Sequence, residues 1–426
     1  MNNSTLPTKK ILLFWYPLLL TWLMMAIEGP FIAAIIARLP DEKMQLAAFG
    51  VSFSFALVIE APVIMLMSAT IALAKKRGSF LSLRRFTHGM NATVVLINLI
   101  ILIPPIFEGI TMGLIGLNQE LSDHVYLTTA LLIPWSPAIG YRRFYQGLLI
   151  KYHQTRKVTF GTIFRLATMA LTSTLLAKYS HLPGSAIGGA ALSCGVLAEA
   201  FATRLLARVP RADILSLDDE DDSINMATIW AFYYPLALTS LIGLSVRPAM
   251  VFFLGQSKMA IETLAVLPVI NALLFIFSAI GLSFQEVGVA LMGEGLKYRK
   301  KLHRFTCQIA SIVCLLYGLI VLTPLSGFWF ETVSGLSDEL SRFSNLPAQL
   351  LLVMPWLSVY LSFQRALMVN LKTTRFVSHA SAIEVLGILI SLTICVFGLD
   401  LIGAIGASIA MVIGRVAAVT YLRMRS

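Results

Sequence analysis

The sequence predicts an all-α integral membrane protein of about twelve transmembrane helices, arranged as two parallel, pseudo-symmetric six-helix lobes. Three observations carry that reading. Apolar residues make up 57% of the 426 positions and charged residues 13%, about half the charged share of an ordinary water-soluble domain. The apolar residues fall in long runs separated by short basic loops. The chain also resembles itself at an offset of 218 to 219 residues.

A hydrocarbon layer of ~30 Å needs ~20 residues of helix to cross it. Runs that meet this length lie near 11–37, 48–74, 86–109, 124–149, 158–178, 184–206, 226–254, 262–293, 302–325, 344–370, 377–398 and 402–422. The run from Ile11 is too long for the apolar part of a signal peptide and lacks a small-residue cleavage site, so it counts as the first span. Prolines inside spans, such as Pro30, Pro62, Pro134, Pro137 and Pro248, are tolerated where neighbours or cavity water satisfy the freed carbonyls.

Basic residues set the orientation. The termini and even-numbered loops carry 22 lysines and arginines, among them Lys75, Lys76, Arg77, Arg156, Lys300 and Lys301, whereas the odd loops carry five. The positive side faces the cytoplasm, which puts both termini inside and, in a bacterium, the protein in the inner membrane. The net charge of +11 is thus a topology signal and not a nucleic-acid surface. Cys194, Cys307, Cys314 and Cys395 sit within apolar runs without metal-ligand spacing, as packing residues do.

The repeat divides the chain into a first lobe, 1–206, a cytoplasmic linker, 207–224, and a second lobe, 225–426. FWYPLLLT at Phe14–Thr21 returns as FYYPLALT at Phe232–Thr239. Pro30 matches Pro248, Arg85-Phe86-Thr87 matches Arg304-Phe305-Thr306, and Ala186-Ile187-Gly188 matches Ala404-Ile405-Gly406. Six spans per copy is an even number, so both copies enter the membrane in one direction. Parallel repeats of this kind place a substrate site near the midplane and rock to alternate access. The acidic run Asp218 to Asp222 reads as a solvated part of the linker, with a regulatory or divalent-ion site as the alternative.

The stretch YQGLLIKYHQTRKV at Tyr145–Val158 resembles the corresponding segment of the multidrug/oligosaccharidyl-lipid/polysaccharide exporter superfamily. The segments FYYPLAL, SVRPAMVFFLG and ETLAVLPV within Phe232–Val269 resemble the progressive ankylosis group of that superfamily, through the aromatic-aromatic-proline start, the pair Arg247-Pro248, and Glu262 ahead of an apolar run. The resemblance implies a two-lobed exporter or flippase. The ankylosis branch further implies efflux of small polyanions.

A charge near the bilayer centre costs ~2.5–3.5 kcal/mol on insertion scales, so each buried one needs a partner, water or a task. Glu28 and Glu60 lie mid-span in the first two helices, each shortly before a proline, and their repeat partners are Val246 and Ser278. They are the candidates for a coupling proton or sodium ion. Arg247, whose guanidinium can fork onto a carboxylate or phosphate, is the first candidate for an anionic substrate. Arg165 and Glu384 occupy equivalent repeat positions and either pair or line a cavity separately. Arg142, Arg143 and Arg365 form a basic vestibule or snorkel to the interface. Glu286, Arg415 and Glu199 rank lower. The small residues Gly403, Gly406, Ala407, Ala410 and Gly414 read as a close helix contact.

The sequence contains no G-x-x-x-x-G-K-[ST] loop and no H-E-x-x-H, so neither direct ATP drive nor enzyme chemistry is expected. The expected function is antiport of a small organic or phosphate-type anion, by a monomer without a cofactor beyond its coupling ion. A flippase for a lipid-linked intermediate and a multidrug exporter are the alternatives, and a membrane scaffold is a third class.

Overall fold

The computed structural model describes residues 6–217, 224–371, 373 and 375–425. The acidic run 218–222 lies outside the described residues. The first copy of the repeat contributes α1 (Thr8–Ala37), α2 (Glu42–Glu60), α3 (Leu66–Leu73), α4 (Arg77–Ile101), α5 (Pro104–Glu108), α6 (Gln119–Leu131), α7 (Trp135–Lys151), α8 (Thr155–Tyr179) and α9 (Gly184–Leu206), with α10 (Arg208–Leu215) in the linker. The second contributes α11 (Met226–Leu244), α12 (Val246–Gly255), α13 (Ala260–Leu291), α14 (Arg299–Val321), α15 (Leu325–Gly327), α16 (Asp338–Leu350), α17 (Met354–Asn370), α18 (Arg375–Thr393) and α19 (Gly403–Arg425).

Every expected span has a helix or a broken helix pair at its place. Among the described residues nine helices are long and apolar enough to cross a membrane, and eleven spans result when two bent pairs are each taken as one. The remaining expected run, 124–149, is occupied by α6 and α7. Large apolar side chains such as Leu13, Phe160, Leu171, Leu315 and Ile390 are exposed, which is the surface that lipid solvates.

The repeat is visible in backbone detail. Asp41 and Met259, which precede α2 and α13, share the left-handed conformation with φ of 57° and 54°. Gly116 and Gly335 turn the chain at φ of 86° and 77°. Asn118 and Ser337 then cap α6 and α16, accepting the N–H groups of Leu121 and Leu340. The buried stripe of α4, Leu83, Thr87, Asn91, Val94 and Asn98, returns on α14 as Leu302, Thr306, Ala310, Val313 and Tyr317.

Packing nevertheless cuts the chain elsewhere than the repeat does. One compact unit is Leu39–Phe252; the other joins the residues up to Arg38 to those from Phe253 onward. Helix α1 therefore belongs with the second copy and α11 with the first. The repeated aromatic-aromatic-proline motif supplies the reason. Trp15 of α1 is buried, donates from Nε1 to Ser283 Oγ of α13 at 2.8 Å, and stands edge-on to Phe284 and Phe305. Its repeat equivalent, Tyr233 of α11, is fully buried, stands edge-on to Phe86, and donates its hydroxyl to the Pro62 carbonyl. An aromatic with one polar atom needs an acceptor at membrane depth, and each finds it on the second helix of the other copy.

The acceptor in the second case is a product of the sequence. After Glu60 the helix parts through residues 61–65 before α3 resumes, because Pro62 lacks an N–H and its ring crowds the preceding turn. By contrast α1 runs unbroken through Pro30, so of the two acids that precede a proline only Glu60 sits beside an interruption. A second interruption falls at Ser245, just before Arg247-Pro248. On the linker side, burial and the nearby Asp213 carboxylate of α10 push the Tyr152 phenol above its ordinary value.

Candidate functional site

In the unit Leu39–Phe252 the centre is Glu199 of α9, which is wholly buried. Arg142 of α7 pairs with its Oε2, and Arg165 Nε of α8 lies 3.5 Å from the same oxygen. Oε1 accepts from Gln146 Nε2 at 3.2 Å and from Thr162 Oγ1 at 3.3 Å. Both carboxylate oxygens are thus occupied, as a buried charge requires. Glycines let the helices close in. A Cβ at Gly195 would stand 3.1 Å from the Arg165 carbonyl oxygen, and one at Gly147 would stand 2.6 Å from the Met67 carbonyl oxygen.

The adjacent Arg143 reaches α3, the helix that resumes after the interruption. Gly140, Arg143 and Gly147 share one face of α7 at helical spacing; a Cβ at Gly140 would meet Val63, and Arg143 Nη1 reaches Met67 Sδ at 3.9 Å. Glu60, 5% exposed, lies within electrostatic reach of both Arg143 and Arg247. Arg247, at the start of α12, is itself exposed.

The other unit holds a related cluster with the charges permuted. Arg415 Nε of α19 donates to Glu384 Oε1 of α18 at 2.6 Å, and its Nη1 donates to Ser358 Oγ of α17 at 2.8 Å. Arg365 Nη2 of α17 stands 3.9 Å from Glu384 Oε2. In both units one carboxylate meets two guanidiniums across three consecutive spans. The acid sits on the third of those helices in one unit and on the second in the other. The crossing is repeated too: a Cβ at Gly414, as far along α19 as Gly195 is along α9, would stand 2.6 Å from the Glu384 carbonyl oxygen. Gly414→Val should therefore force α18 from α19 and cost about 1–3 kcal/mol, measurable as a lower unfolding temperature in detergent, whereas Gly243→Ala, with nothing within 4 Å, should not.

The structure thus brings Arg142 and Arg165 together, and Glu384 with Arg365, each inside its own unit. Glu28 and Glu60, grouped by the sequence, are divided: Glu28 rides on α1, beside α13, where a Cβ at Gly29 would lie 3.6 Å from Ala272 Cβ. Of the residues ranked low, Glu199 is the centre of one cluster and Arg415 supplies the closer of the two guanidiniums on Glu384 in the other. One signal could have found Glu199. It is the sole carboxylate in residues 124–206, and so the sole local acid for Arg142, Arg143 and Arg165.

An inward-facing multidrug-resistance MATE transporter of the MOP superfamily superposes with a TM-score of 0.69 at 14% identity, over 95% of this chain and 98% of that one. An inward closed structure of the lipid II flippase MurJ gives 0.71 at 15% identity, over 94% and 85%. The chain shares the fold of this transporter and this flippase. A MOP transporter from Pyrococcus furiosus, whose binding pocket is described as having reverse polarity, gives 0.59 at 15% identity over 98% and 95%. The sequence matches no protein-family model and no curated relative. The shared fold and the long apolar helices bear out the all-α, multi-pass membrane architecture expected from composition.

Proposed function

We propose that this chain is a secondary transporter that exports a small organic or phosphate-type anion by alternating access, in antiport with a proton or cation. The shared fold supports transport over catalysis, since its solved examples named above are transporters and a flippase. The observation that carries the anion reading is the arrangement of two guanidiniums on one carboxylate in each unit, Arg142 and Arg165 on the buried Glu199, Arg365 and Arg415 on the partly exposed Glu384. Buried arginine is costly without an anionic partner, and an anionic substrate can supply part of that compensation. Glu60, buried beside the interruption of α2, is the first candidate coupling acid, because interrupted membrane helices commonly hold coupling ions; Glu28, on the unbroken α1, is the second.

Counterflow in proteoliposomes tests the reading. Uptake of a labelled anion should depend on a pH or sodium gradient, and Glu60→Gln should abolish that dependence while leaving exchange intact. Uptake indifferent to both gradients removes the coupling, and transport of lipophilic cations alone removes the anion. A flippase for a lipid-linked anion is the second reading, supported by the likeness to MurJ. Translocation of a lipid-linked phosphate without counterflow of soluble anions selects it.

A further inference from the structure

Arg142 and Arg143 are consecutive residues of α7 that address different neighbours. Arg142, 5% exposed, spends one terminal nitrogen on Glu199, an acid it shares with Arg165. Arg143 makes its direct contact with the sulfur of Met67, a weak acceptor. The Nε atoms of both residues are buried and have no acceptor among the described residues. A buried guanidinium N–H without an acceptor is unfavourable, and two on adjacent residues mark a place where an acceptor group fits.

The Glu199 surroundings name the chemistry of that group. Two guanidiniums, the Gln146 amide and the Thr162 hydroxyl converge on its two oxygens. Such fixed donors serve any compact oxyanion. Arg143 lies within electrostatic reach of Arg142 and Glu199. The two Nε–H groups come on top of the four donors that already fill a carboxylate's two oxygens, which suits a phosphate with its further oxygens better than a carboxylate. We propose that Arg142 and Arg143 form a binding site for a phosphate-type oxyanion, and that the Glu199 carboxylate stands in for part of that ligand when none is bound. This deepens the anion reading above and rests on it for the ligand's role as cargo.

The test uses the full chain in detergent micelles with inorganic phosphate as the probe and nitrate at matched ionic strength as the control. Phosphate should raise the unfolding temperature saturably and nitrate should not. Arg143→Gln, which leaves the Arg142–Glu199 pair intact, should weaken the phosphate response by about tenfold or more. Glu199→Gln should strengthen it, because the resident competitor has lost its charge. Equal responses of wild type and Arg143→Gln, or of phosphate and nitrate, overturn the site. Nanodiscs with and without phosphatidic acid identify the source of the phosphate: competition with the soluble probe supports a site for a lipid-borne group, and its absence supports one for a soluble anion. Counterflow that survives Arg143→Gln unchanged removes this site and keeps the transport reading. Saturable phosphate binding without any counterflow removes the transport reading and keeps the site.

Discussion

Glu199→Ala should be among the most destabilising single substitutions in the chain. It strips the carboxylate from two buried guanidiniums and leaves the Gln146 and Thr162 donors without their acceptor. Breaking a buried pair from one side costs about 3–5 kcal/mol, because the remaining charge is uncompensated. The matching change Glu384→Ala should cost less. The side chains of Glu384, Arg415 and Arg365 retain 14%, 22% and 24% exposure, and partial solvation screens what is left behind. Thermal unfolding of the two variants in the same detergent checks the order. A triple replacement, Glu199→Leu with Arg142→Met and Arg165→Met, should recover much of the loss, since well-packed apolar residues replace a buried ionic cluster at little or no cost. Recovered stability with lost anion transport would mean that the cluster is kept for function. Recovered stability with unchanged transport would assign it to the scaffold alone.

The membrane spans and the repeat were legible because each rests on a periodic signal: ~20-residue apolar runs, loop charge, and a fixed offset in sequence. Glu60, Arg142 and Arg165, singled out in the sequence, are buried, whereas Arg247 is exposed. Partnership was not legible. Arg165 and Glu384 occupy equivalent positions in the repeat, yet each finds its counter-charge on the following helix, Glu199 on α9 and Arg415 on α19. Sequence offset locates equivalent places in two copies and says nothing of which helix lies beside which. Glu199 and Arg415 ranked lower in the sequence, whereas the close helix crossings at Gly195 and Gly414 bring the helices that carry them against their partners. The seat of α1 was hidden for a related reason. Chain continuity suggests that a helix packs within its own copy, and the opposite outcome depends on where one indole N–H finds an acceptor.

That seat gives the other large expected effect. Trp15→Ala should destabilise by about 3–5 kcal/mol, the range for truncating a large buried aromatic, because it empties the space against Phe284 and Phe305 and removes the bond to Ser283. Tyr233→Ala should do the same against Phe86. The conservative changes separate packing from polarity. Tyr233→Phe keeps the ring and leaves the Pro62 carbonyl without its hydroxyl donor, so its cost should be about 1 kcal/mol as a hydrogen bond. The Pro62 carbonyl belongs to the interruption that follows Glu60, so Tyr233→Phe should also loosen residues 61–65. Hydrogen exchange of the amides of Val63 and Leu66, which close turns across the interruption onto Glu60 and Val63, reads this directly. Faster exchange there in Tyr233→Phe, with α4 unaffected, means that the hydroxyl holds the interrupted helix in shape. Unchanged exchange means that Tyr233 is a packing residue only, and that the geometry around Glu60 is set by Gly140 and Gly147 of α7.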